Sequence, residues 1–170
     1  HYFAMGVNNS KMCYEPIMEY GKEAMESNRN NQLSKAYEQV VLAIIVSTAL
    51  ASIYLTAEHT VHYNSGLAHA IFYSMTSYPH IEKKHLHGEV VSYGVLNLLL
   101  VDQNTEDFER VYNFNKSVGL PTCLEDLEFE KSQIDDLAKG AVVMKDIEHN
   151  PYVITGEMLS EAMRKLEALK

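Results

Sequence analysis

The segment Gly66–Glu89, GLAHAIFYSMTSYPHIEKKHLHGE, carries four histidines, at positions 69, 80, 85 and 87. A neutral imidazole is a good ligand for dications such as zinc or ferrous iron. A catalytic site holds such an ion with three protein groups and leaves one position open. Two of the four sit in short frames: GLAHAI around His69, and HGE beginning at His87, eighteen positions later. Gly66, Ala68 and Ala70 keep the approach to His69 free of bulk. Against this, a histidine near a helix end is more often capped or solvated than ligating. His62, His80 and His85 also crowd the region, so spacing alone leaves open which pair converges.

Helices must position these groups. A first helix capped by Asn9 or Ser10 is predicted, with Met12, Cys13, Ile17, Tyr20 and Met25 recurring at three and four. Pro16 suits it only in a first turn or at a kink, and the opening HYFAMGVNNS reads as the last part of a strand or linker running into a helix. After the polar SNRNNQLS comes a long apolar helix, about 35–56. Its core VVLAIIVSTALASIYL, 40–55, is shorter than the ~20 residues that span a bilayer and contains Ser47, Thr48 and Ser52. This helix is predicted to be buried at the centre of a helical domain.

A helix over about 66–78 is expected to stop at Pro79. The turn SYPHIEKK would then return the chain into an antiparallel neighbour running from His87 to about 103. Thr105, Glu106 and Asp107 open another helix, which Gly119 stops. LPTCLEDLEF reads as a connection, EKSQIDDLAKGAVVMKD as a helix with a weak point at Gly140, and Thr155 as the cap of the last helix. No alternating strand pattern of useful length and no repeat occurs. The predicted fold class is all-α, a bundle of about seven helices in a single domain over 1–170.

Composition narrows the function. The 170 residues are 46% hydrophobic and 22% charged, as in a globular protein. The formal net charge of −9, with Lys83-Lys84 the densest basic run, argues against a nucleic-acid partner. No signal peptide is visible, and two cysteines fit a reducing compartment, so a cytoplasmic location without a membrane partner is expected. The eight glycines form no GxG or GxxxxGK loop, so a nucleotide would have to be held elsewhere.

The frames GLAHAI and, eighteen residues on, HGEVVSYGVL resemble the metal-binding region of the iron-containing alcohol dehydrogenase superfamily, most closely its glycerol dehydrogenase branch. AIIVSTALAS is similar to that family's central helix and LPTCLEDL to its LP-x-x-L-x-D-L connection. HNPYVITGEMLSEAM is similar to its N-x-P-x-x-V-T tail, and the patterns fall in the family's order. The resemblance implies that His69 and His87 are zinc or iron ligands. The family's third ligand is an aspartate in a frame like G-I-A-D-T-L-A-K-W-Y-E. Here GVNNSKMCYEP places Asn9 at that position, and the nearest acid on that helix is Glu15. An amide oxygen can coordinate but brings no negative charge.

The implied fold is the helical C-terminal domain of the glycerol dehydrogenase or dehydroquinate synthase type, with an NAD(P)-binding N-terminal α/β domain missing from this chain. The implied activity is metal-dependent, NAD(P)-linked oxidation of a small alcohol or polyol by a homo-oligomer, the 170 residues alone being inactive. Two alternatives stand beside it. One is a non-catalytic relative with a degraded metal site at Asn9. The other is a sugar-phosphate cyclase, weakened because the cyclase pattern GHTxGHAIE meets Ser65 and Phe72 here.

Overall fold

Helices are the only regular elements among the residues described by the computed structural model, 2–56 and 65–170, as the sequence pattern predicted. They fall in two compact units, His1–Asn64 and Ser65–Lys170. His62 lies outside the described residues.

In the first unit α1 (Tyr2–Arg29) packs along α2 (Lys35–Thr56). Ser34 caps α2 by accepting from the Tyr37 N–H at 3.1 Å, and the Ser27 hydroxyl donates to Ser34 at 2.8 Å, closing the hairpin. The inner faces are lined by small residues: Ala24, Ala36, Ala43 and Ala51 are buried. At Gly6 a Cβ would stand 2.7 Å from the Leu55 side chain.

Three expectations are corrected here. Helix α1 begins at Tyr2, so Asn9 and Ser10 lie inside it rather than capping it. Pro16 lies in its interior, forgoing one i→i−4 hydrogen bond. Helix α2, expected to be buried, exposes Leu42, Ile44, Ile45, Val46 and Ile53, because a two-helix hairpin covers only one face of each partner. At 22 residues it is, by length and composition, long and apolar enough to cross a membrane. A single π-helical turn, Ala43–Ser47, interrupts it.

The second unit contains α3 (Leu67–Met75), α4 (Pro79–Lys84), α5 (His87–Val101), α6 (Thr105–Val118), α7 (Ile134–Val142) and α8 (Gly156–Glu167). Helix α3 packs against both α5 and α7, and α8 packs against the same two. Its core holds Leu67, Ile71, Met75, Tyr93, Leu96, Leu137, Leu159 and Met163, all essentially inaccessible. Each such aliphatic side chain contributes about 1.5–3 kcal/mol by leaving water. Gly119, at φ 81°, ends α6 as expected, while Asn104 rather than Thr105 caps it, accepting from the Asp107 N–H at 3.2 Å.

The connection LPTCLEDL folds into a 3-10 turn tied down by two carboxylates. Asp126 accepts from the Thr122 and Cys123 N–H groups, and Glu167, 4% exposed, accepts from the Leu124 N–H at 2.7 Å. Burial pushes the Glu167 carboxyl above its ordinary range.

Two glycines set the helix spacing around α3. Gly140, expected to be a weak point, is where α7 presses on α3: a Cβ there would meet the Ser74 hydroxyl, which donates to the Leu137 carbonyl at 2.8 Å. At Gly94 a Cβ would stand 2.6 Å from the Ala68 carbonyl oxygen and 2.8 Å from its Cα, both backbone atoms. Gly94→Ala must therefore spread α3 and α5, at a cost of about 1–3 kcal/mol for overpacking. Gly88→Ala, with nothing within 4 Å of the new methyl, is its control. Urea unfolding should show the loss for Gly94→Ala alone.

Candidate metal centre

Both singled-out histidines stand at helix N-termini. Gly66 is the N-cap of α3, its carbonyl accepting from the His69 N–H at 3.0 Å, so His69 lies in the first turn, half-buried. His87 is the first residue of α5 and is exposed. Glu89 secures that end by accepting from the Leu86 N–H at 3.0 Å.

The antiparallel hairpin expected for these two helices would have left the histidines at opposite ends. Nine residues of α3 rise about 13 Å. Pro79 instead opens the short helix α4, which carries the chain back, so that the His69 and His87 rings lie 5.4 Å apart between centroids, inclined at 43°.

The distance has chemical content. Two imidazoles bound to one tetrahedral dication through bonds of about 2.1 Å have their centroids about 5.3 Å apart. The spacing of this pair fits that arrangement. Phe72 stands edge-on to His87, centroids 4.4 Å apart at 79°, and Tyr73 packs edge-on to Phe72 at 5.3 Å.

The other histidines of the region are engaged elsewhere. The His80 Nε2 lies 3.1 Å from the Leu127 carbonyl and its ring packs on Phe129. His85, mostly buried, lies 3.6 Å from Glu89 and 4.0 Å from Glu128. His80, expected in the turn SYPHIEKK, lies in α4, and His85 caps its C-terminus.

Asn9 belongs to the first unit, where it is 9% exposed. Its Nδ2 donates to the Ser47 carbonyl at 3.3 Å, at the end of the π turn. Cys13, four residues on, is half-buried and donates its thiol to the Asn9 carbonyl at 3.3 Å. Among the described residues, no group of three or more His, Cys, Asp or Glu side chains could hold a metal ion.

Two further residues bear on the pair. Asp146, half-buried on the 3-10 turn Lys145–Ile147 packed against α3, acts electrostatically on His69. It follows His69 by 77 positions, and no local spacing could have flagged it. Phe72 follows His69 by three, a spacing that places both on one helix face.

Burial, and next the neighbouring His87, hold the His69 imidazole below its ordinary value of 6.5, while Asp146 pulls it upward. The native state therefore binds the His69 proton less readily than the unfolded chain does. The stability this neutral form contributes is present above pH 6.5 and is lost as the pH falls through the lowered native value. An NMR titration should show the His69 midpoint rising in His87→Gln and falling further in Asp146→Asn.

No family model matches the chain. It is 31% identical over 163 residues to a glycerol dehydrogenase of Thermotoga maritima, covering 91% of this chain and 42% of that protein. To hydroxycarboxylate dehydrogenase A of Escherichia coli K12 it is 26% identical over 170 residues, covering 98% and 46%. In structure it is similar to a probable glycerol dehydrogenase from Sinorhizobium meliloti 1021, with a TM-score of 0.82 at 24% identity, covering 98% of this chain and 46% of the other. The chain thus spans less than half the length of the relatives it matches.

Proposed function

From the place of this chain in the glycerol dehydrogenase-like branch of the iron-containing alcohol dehydrogenase superfamily, as the C-terminal helical part of such proteins, we infer that it forms the metal- and substrate-binding half of an alcohol or polyol dehydrogenase. The observation that supports this best is the 5.4 Å separation of the His69 and His87 rings. Zinc or iron, when bound, would polarise a substrate hydroxyl and lower its pKa, with NAD(P) as the hydride acceptor.

The residues do the following. His69 and His87 offer two imidazoles from the ends of adjoining helices, and burial lowers the basicity of His69, favouring the unprotonated form that ligation requires. The third ligand role falls to Asn9 by the sequence resemblance alone. Such a set carries no negative charge and holds a dication less tightly than one with a carboxylate.

That neutrality is also the observation favouring a second reading, a relative that no longer binds metal. The cyclase reading has no comparable support, since Phe72 occupies the position where its pattern needs glutamate.

Equilibrium dialysis of the 170-residue chain against Co²⁺ decides between the first two. About one ion per chain is expected, with affinity lost by at least about tenfold in His69→Ala and in His87→Ala. Circular dichroism should show both variants folded. An unsubstituted chain that retains no ion overturns the dehydrogenase reading in favour of the second.

A further inference from the structure

We propose that Phe72 is the positioning residue for His87, its ring holding the imidazole turned toward His69. The proposal rests on the metal-site reading above and adds a residue to it.

Three observations lead there. His87 is the first residue of α5 and is exposed, so its own helix restrains its side chain little. Among the described residues no hydrogen bond or ion pair engages its ring. Its ring–ring contacts among the described residues are with Phe72 at 4.4 Å and with His69 at 5.4 Å.

A ligating histidine is ordinarily oriented by a hydrogen bond from its second nitrogen to a carboxylate, a carbonyl or water. Here an aromatic edge takes that place. Edge-to-face pairs have a preferred geometry because the positive edge of one ring meets the negative face of the other. The 79° inclination of Phe72 to His87 lies close to that preference.

The placement follows from the helix. Phe72 is three residues beyond His69, so the residue that contacts His87 shares a face with the other imidazole of the pair. Tyr73 backs Phe72 through a second edge-on contact at 62°. Movement of Phe72 would thus release His87 without touching His69.

The test compares Phe72→Leu, which keeps most of the volume and loses the ring, with Phe72→Tyr, which keeps the ring. In the metal-free chain, the His87 ring protons should carry a ring-current shift that Phe72→Leu abolishes and Phe72→Tyr retains. Co²⁺ affinity should fall about tenfold in Phe72→Leu and stay within about twofold in Phe72→Tyr. Thermal unfolding checks that Phe72→Leu is folded, and Phe72→Met replaces it otherwise.

Unchanged Co²⁺ affinity and an unmoved His87 resonance in the aliphatic variant would overturn the proposal. So would equal losses in Phe72→Leu and Phe72→Tyr, because packing alone would then explain them. Should the unsubstituted chain bind no Co²⁺, the metal reading fails by itself, and the His87 resonances of the metal-free chain still decide whether Phe72 orients the ring.

Discussion

The second unit is organised by a contact between backbones. Helices in proteins ordinarily stand 8–10 Å apart, separated by their side chains. Gly94 on α5 removes that separation and brings the helix against the carbonyl and Cα of Ala68. His69 is the next residue along α3, so the closest approach of the two helices falls beside one of the two imidazoles. On another face, Gly140 lets α7 press against Ser74. Helix α3 is therefore pinned at two points by partners that lack side chains there. Its placement is constrained at those points by steric exclusion, which tolerates little adjustment in a close-packed interior.

Electrostatics work in the same direction as packing. A site for a dication needs imidazoles that are unprotonated before the ion arrives. Burial, and next the proximity of His87, depress the basicity of His69. Asp146 acts against these effects from a neighbouring turn. A carboxylate at that remove has a double consequence: it favours protonation of His69 in the empty pair, and it would attract a dication there more strongly, the charge being double. Its influence on ion binding is the difference between those two terms.

Much of the fold was legible because helices announce themselves locally. The stop at Gly119, the cap at Thr155 and the start of α5 at His87 all depend on residues within a turn of the feature. Pro79 was legible as a boundary but ambiguous in sense, since proline both ends a helix and suits the first turn of the next. The second role prevailed, and the resulting α4 is what allows the two histidines to meet. The surroundings of α2 were not legible. An apolar run states that a face must be covered and does not state how much neighbouring chain covers it. The frames singled out His69 and His87, whose rings the fold brings to 5.4 Å, whereas Asp146 and the small residues that fix the helix spacing act through distances that only the folded chain defines.

Residue 9 shows how local folding and a family pattern can make different demands on one position. The resemblance places an aspartate there, and a ligand role alone would favour its charge. In this chain the side chain lies against a π-helical turn and donates to the Ser47 carbonyl. An ionised carboxylate has no proton to give, so aspartate would set a negative oxygen against a carbonyl oxygen in a position only 9% exposed. Unsatisfied or opposed polar atoms in such places cost about 1–3 kcal/mol. Asparagine meets the requirement for a donor and still leaves one oxygen to offer. At this position the local packing of the first unit is met by a donor side chain, independently of any ligand role.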